Sequence, residues 1–192
     1  MTGFVGQRRL RHYINRGNPG LYSRMSLARL NFSEAAEAAL NKQIAMEQTA
    51  SQAYLSMSAW FARDTVALHG LARRFRELAH EEMEHANKLI DYVTMRGGVV
   101  RISALAAPEV EWKSALNALE TALQMEKDVT VSLQGIAQIA SRDDDHELED
   151  YISSEFLREQ SKDIKEAADL VTQLRLAGPT GLGLFYFDKT LS

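Results

Sequence analysis

The sequence predicts an all-α protein: a four-helix bundle with a long crossover between its second and third helices, followed by a short apolar segment. Three observations carry this. Four long stretches place apolar residues at alternating spacings of three and four, the positions that share one face of an α-helix. The prolines, Pro19, Pro108 and Pro179, all fall where that pattern stops. The connection between the second and third stretches runs about 15 residues, to about Glu111, which suits a strand of chain spanning the length of a bundle better than a tight turn between neighbours.

Taken in order, the first helix is predicted to start at Ser33, whose hydroxyl can cap free backbone N–H groups, with Glu34 and Glu37 near the positive end of the helix dipole. It runs to about residue 62 on the stripe Leu40, Ile44, Glu47, Ser51, Tyr54, Ser58, Phe61. The second covers about 68–95 on Leu71, Phe75, Leu78, Glu82, His85, Leu89, Tyr92, and ends at Arg96-Gly97-Gly98, a glycine pair suited to the left-handed backbone that closes helices. The third, about 112–141, carries Trp112, Leu116, Leu119, Leu123, Glu126, Thr130, Leu133. The fourth, about 146–176, carries Ile152, Phe156, Gln160, Ile164, Ala167, Val171, Leu174 and follows the acidic turn Asp143-Asp144-Asp145. That turn is either a solvated acidic loop or a cation-attracting mouth. After Gly178-Pro179-Thr180-Gly181, the segment Leu182 to Leu191 is too apolar to stand in water and too short to make a core, so it is expected to pack against other copies of the chain.

Composition narrows the chemistry. A chain of 192 residues, 45% hydrophobic and 25% charged, suffices for one well-buried domain. The net charge of −4 conceals an asymmetry, because residues 1–33 hold six arginines and no Lys, Asp or Glu. Removing those six from 22 basic residues leaves 16 against 26 acids, a body at −10. Such a body disfavours nucleic acid and suits the handling of cations. With no cysteine, disulfides and thiolate metal sites are excluded, and any metal must be held by oxygen and nitrogen. No apolar run approaches the roughly 20 residues that cross a bilayer, so no membrane partner is expected.

Each stripe is interrupted near mid-helix by a metal-competent side chain: Glu47, Glu82 with His85, Glu126, and Gln160. A single Glu on an apolar face is ordinarily salt-bridged or reaches solvent along its stem. Several carboxylates around one point are another matter, since burying them is strongly unfavourable unless cations neutralise them, and no Lys or Arg lies on the central part of these stripes. A dinuclear metal centre removes the conflict. Carboxylate and imidazole together suit iron, manganese or zinc. The Glu-x-x-His spacing of Glu82 and His85 is that of di-iron bundles, but neither Glu126 nor Glu159-Gln160 is followed by a His three residues on. The two metal positions are therefore expected to be unequal, one containing nitrogen and tighter, one oxygen-only and weaker. Tyr54, two turns after Glu47, can hydrogen-bond a ligand, donate an electron or simply pack.

The segments Gln43-Ile44-Ala45-Met46-Glu47, Tyr54-Leu55-Ser56-Met57-Ser58, His80-Glu81-Glu82-Met83-Glu84-His85, Arg96-Gly97-Gly98, Leu116-Asn117-Ala118-Leu119-Glu120 and Leu157-Arg158-Glu159-Gln160 resemble eukaryotic ferritin of the heavy, ferroxidase-bearing type over about Ser33 to Leu191. The resemblance implies a ferritin-like bundle with a short fifth C-terminal helix, in a hollow shell of about 24 copies, homo-oligomeric or mixed, around a ferric oxyhydroxide mineral. It also implies catalysis of Fe(II) oxidation by dioxygen, with two iron ions per centre. The first would be held by Glu47, Glu82 and His85, the second by the bridging Glu82 and Glu126, with Gln160 nearby, Glu81 as an accessory carboxylate and Tyr54 beside the centre. Glu84, with Glu81, matches part of the mineral-nucleating patch, where Asn87 replaces a frequent carboxylate. Asp150 matches the threefold entry channel, while Ser153 and Ala137 depart from it.

Two rival functions stand beside this one: a structural shell subunit without oxidase activity, and a small DNA-protecting relative. Retention of the five ligands counts against the first, and the complete C-terminal segment and single-subunit ligand set against the second. Residues 1–32 are expected to be a basic extension that acts as a mitochondrial transit peptide, directing the domain at 33–192 to the matrix; a disordered tail on a cytoplasmic protein is the alternative.

Overall fold

A computed structural model describes residues 26–191, and these form helices with no strand among them. Helix α1 spans Glu34–Phe61, α2 His69–Met95 and α3 Ala115–Arg142. The fourth long rod is composite, made of α4 (His146–Ile152), a π-helical turn (Ser153–Leu157) and α5 (Arg158–Ala177). A short α6 follows at Gly181–Thr190. The architecture is a four-helix bundle plus a C-terminal helix, with residues 96–114 as the long connection. Most of the residues 1–32 on which the targeting expectation rests lie outside the described part.

The helix ends follow local chemistry. Ser33 Oγ accepts from Ala36 N at 3.0 Å, Ser114 Oγ from Asn117 N at 3.0 Å, and the Asp145 side chain from Leu148 N at 3.2 Å, each satisfying a backbone donor that a helix leaves free. Because Ser114 is the cap, α3 starts three residues later than the stripe suggested, and Trp112 is buried from the connection rather than from the helix. Helix α2 ends as expected, with Gly97 at φ +73°. Its start is capped from afar, since Asp188 Oδ1 on α6 accepts from Leu71 N at 2.8 Å. Gly70 makes that approach possible, as a Cβ there would lie 2.1 Å from the Asp188 carbonyl oxygen. The fold also reaches back past Ser33: Phe32 is buried, and Arg29 pairs with Glu37.

The core falls into two apolar clusters. One gathers Tyr54, Phe61, Leu71, Phe75, Leu119, Leu174 and Phe187; the other gathers Leu40, Ile44, Leu89, Leu133, Ile136, Ile152 and Phe156. On every long helix the boundary between them is the polar interruption seen in the sequence: Glu47, Glu82, Glu126 and Gln160. Each large apolar side chain in those clusters stabilises the fold by about 1.5–3 kcal/mol. The layer between them does the opposite, and that cost locates the site.

Candidate metal centre

Helix α1 contributes Glu47, fully buried, with Gln43 one turn earlier donating from Nε2 to Glu47 Oε1 at 2.8 Å. The remaining polar residues of that stripe fasten α1 to α2: Ser51 Oγ donates to Ala79 O and Ser58 Oγ to Ala72 O, both at 2.7 Å. Helix α2 then presents Glu82 and His85 one turn apart, with Nδ1 of His85 3.4 Å from Glu82 Oε2. Glu47, Glu82 and His85 each offer one ligand atom, and the three atoms lie within 4.8 Å of one another. Opposite them, Glu126 of α3 accepts from the Tyr54 hydroxyl at 2.5 Å and from Gln160 Nε2 at 3.2 Å.

Burial dominates the electrostatics. It pushes the Glu47 carboxyl up to about 8, reinforced by the charge of Glu82, and Glu82 to about 8, reinforced by Glu126. Glu126 rises to about 7, again chiefly through burial, even though the Tyr54 hydroxyl favours its charged form. Burial, then the neighbouring Glu126, raises the Tyr54 phenol well above its ordinary value. Such groups shed their protons at neutral pH when a cation takes the protons' place. The unsatisfied atoms point the same way: Glu47 Oε2 and Gln160 Oε1 are buried without a hydrogen-bond partner. A divalent ion among Glu47, Glu82 and His85, and a second on the Glu126 and Gln160 side, would satisfy both. The donors are oxygen with one nitrogen, suited to iron, manganese or zinc.

Residues 37–177 match the model of the ferritin-like domain. The chain belongs to the ferritin family. It is 44% identical over 170 residues to soma ferritin of Lymnaea stagnalis, covering 88% of this chain and 97% of that protein. It is 45% identical over 166 residues to the ferritin heavy chain of Echinococcus granulosus, covering 86% and 95%. Ferritin-3, chloroplastic, of Vigna unguiculata is 45% identical over 172 residues, covering 87% and 67%. Membership implies iron storage, and it supplies a reason for a cationic guest in this buried layer.

In this ferritin, the other expected positions lie apart from the inner layer. Glu81 and Glu84 are exposed on α2, and Asp150 is exposed on α4 with Ser153 exposed beyond it and Ala137 half-buried on α3. Three residues around the centre were not picked out as ligands from the sequence. Gln43 orients Glu47, and Glu159 Oε2 stands 3.5 Å from His85 Nε2. Asp163, half-buried, lines a cleft together with Tyr54 and Glu126, and its charge acts on both Glu82 and Glu126. Burial, then the charge of Glu159, raises Asp163 itself to about 6. It follows Gln160 by three residues, the spacing that joins Glu82 to His85, and that repeat was the available signal.

Proposed function

We propose that this ferritin is a ferroxidase of the heavy-chain type, which oxidises Fe(II) with dioxygen inside each subunit and stores the ferric product as mineral within a shell. The observation that carries this reading is the convergence of Glu47, Glu82 and His85 within 4.8 Å in a buried layer that leaves a Glu47 oxygen unsatisfied. Fe(II) is substrate here. Glu47 and His85 hold the first ion, Glu82 reaches both, and Glu126 with Gln160 holds the second. Two Fe(II) supply the two electrons that reduce one dioxygen to hydrogen peroxide, with two protons taken up. The carboxylates favour the product because they stabilise the higher charge of Fe(III). Tyr54 holds one Glu126 oxygen by its hydroxyl and so fixes that carboxylate's orientation.

Anaerobic Fe(II) titration followed by oxygen addition tests this. Binding is expected to saturate at two ions per subunit, with protons released, and oxidation of those ions is expected to be fast on oxygen addition. Absence of saturable binding would favour the rival structural subunit. The shell of about 24 copies, homo-oligomeric or mixed, is supported by exposed apolar side chains near the C-terminus: Leu176 at 83%, Leu182 at 69%, Phe185 at 51% and Tyr186 at 63%. Sedimentation of the purified protein should give a large closed particle; a monomer with intact helices excludes it. Mitochondrial import rests on the acid-free, arginine-rich composition of residues 1–33, and a reporter fusion that stays cytosolic and uncut would refute it.

A further inference from the structure

A file of aromatic rings leads away from the candidate metal centre toward Arg96 at the end of α2, and the storage and oxidation chemistry proposed above does not use it. It begins at His85, whose ring meets Phe156 edge-on with centroids 5.8 Å apart. Phe156 meets Tyr151 edge-on at 5.7 Å, and Tyr151 stacks on Tyr92 at 4.1 Å and 12° between planes. The π-helical turn carries Phe156 and follows directly on the α4 residues that carry Tyr151, so the two rings meet across that change of winding. At the far end the Tyr92 hydroxyl donates to Glu147 Oε2, while Arg96 donates to both. Tyr92 is buried, whereas the Glu147 side chain is 57% exposed, so a proton accepted there has a way to water. Tyr151 lacks such an acceptor, as its hydroxyl donates to the Lys88 carbonyl oxygen at 3.1 Å.

We infer that Tyr151 and Tyr92 form a relay that supplies an electron to the metal centre when too few Fe(II) are bound to complete the reduction of a peroxide, with Tyr92 as the terminal donor and Glu147 as its proton acceptor. This rests on the ferroxidase reading, since the oxidant arises at that centre. Cleaving the O–O bond of hydrogen peroxide to two waters takes two electrons and two protons. A lone Fe(II) provides one electron and becomes Fe(III). Tyr92 provides the other through Tyr151 and Phe156, becoming a neutral phenoxyl radical as its proton passes to Glu147; the two protons needed at the centre come from solvent. A carboxylate acceptor lets proton and electron leave together, so no charged phenol radical cation forms in a buried site. Arg96 then donates a hydrogen bond to the phenoxyl oxygen it already faces. Phe156 serves as packed bridge only, and Tyr54, on the opposite side at Glu126, is the competing donor.

The test uses the assembled full-length protein, loaded anaerobically with one Fe(II) per subunit, mixed with one equivalent of hydrogen peroxide, freeze-quenched and read by electron paramagnetic resonance. The parent should give a phenoxyl signal. Tyr92→Phe keeps the stack and should lower its yield at least fivefold; Tyr151→Phe should do the same. Glu147→Gln, which retains Tyr92 but removes the proton acceptor, should lower it at least threefold. With two Fe(II) per subunit and dioxygen, all three variants should oxidise iron at the parent rate. A signal absent from the parent, or undiminished in Tyr92→Phe, overturns the relay, as does a signal abolished by Tyr54→Phe alone. Slow two-iron oxidation in the parent would instead count against the ferroxidase reading.

Discussion

Replacing Glu82 by Lys and His85 by Gly together removes two of the three donors that lie within 4.8 Å, among them the carboxylate proposed to reach both ion positions. What remains is Glu47 on one side and Glu126 with Gln160 on the other. In the metal-free parent, burial raises Glu47 and Glu82 both to about 8; the charge of Glu82 adds to the rise at Glu47, whereas a hydrogen bond with Glu47 works against the rise at Glu82. An ammonium at position 82 sits among Glu47 and Glu126 in place of a like-charged neighbour, so both should ionise more readily and the buried layer becomes charge-paired. The shell should therefore assemble, and the thermal midpoint of the metal-free variant should not fall below that of the parent. Catalysis should respond in the opposite sense. Loss of a metal-centred step is expected to lower the initial rate at least about a hundredfold, equivalent to about 2.7 kcal/mol of barrier. The assay is stopped-flow oxidation of Fe(II) at no more than two ions per subunit, alongside sedimentation on the same sample. Intact shells that oxidise the first two ions at the parent rate would refute the assignment of the centre.

Three further outcomes follow from the same geometry. Because Glu47, Glu82 and Glu126 are raised above their ordinary range, the metal-free fold retains protons that the unfolded chain has released; the stability they favour is present below about pH 4.5 and is lost as pH rises through 7–8. Thermal midpoints of metal-free protein should thus decline from pH 5.5 to 8.5 more steeply than those of a Glu47→Gln, Glu82→Gln variant, and equal slopes would contradict this. Asp163→Asn removes a charge that acts on Glu82 and Glu126, and should weaken the second Fe(II) about tenfold in anaerobic titration while leaving the first unchanged; equal weakening of both would place Asp163 differently. Deleting residues 1–32 strips Phe32 from the core and Arg29 from Glu37 and should cost about 2–4 kcal/mol more by denaturant unfolding than deleting residues 1–25, and equal stability of the two truncations would contradict this.

The first helix was legible almost residue by residue: Leu40, Ile44, Glu47, Ser51, Tyr54, Ser58 and Phe61 are all buried. Its stripe is straight, and polar members such as Ser51 and Ser58 find backbone partners on α2. On α3 the pattern was off by part of a turn. Leu116, Leu123 and Thr130 lie half-buried at the flank, and the small residues Ala118 and Ala122 with Val129 fill the interior. Large apolar residues dominate a periodicity, yet close helix approach selects small ones. The fourth rod shows a different limit. A π-helical turn inserts extra chain at Ser153–Leu157, which no three-and-four spacing anticipates, and Asp163 lines the cleft although Ile164 was taken for that face. Glu47, Glu82, His85, Glu126 and Gln160 stood out in the sequence as polar interruptions of apolar stripes, and the structure brings them to one layer; Gln43 and Asp163, which interrupt no such stripe, were not singled out as their partners.

Binding of two Fe(II) ions between α1, α2, α3 and α5 within one subunit is best read by anomalous diffraction at the iron edge from crystals soaked anaerobically with Fe(II). Two peaks per subunit are expected, one at bonding distance from Glu47, Glu82 and His85 and a weaker one between Glu82, Glu126 and Gln160. Iron found only at exposed carboxylates such as Glu84 or Asp150, with the buried layer empty at saturating Fe(II), would contradict it.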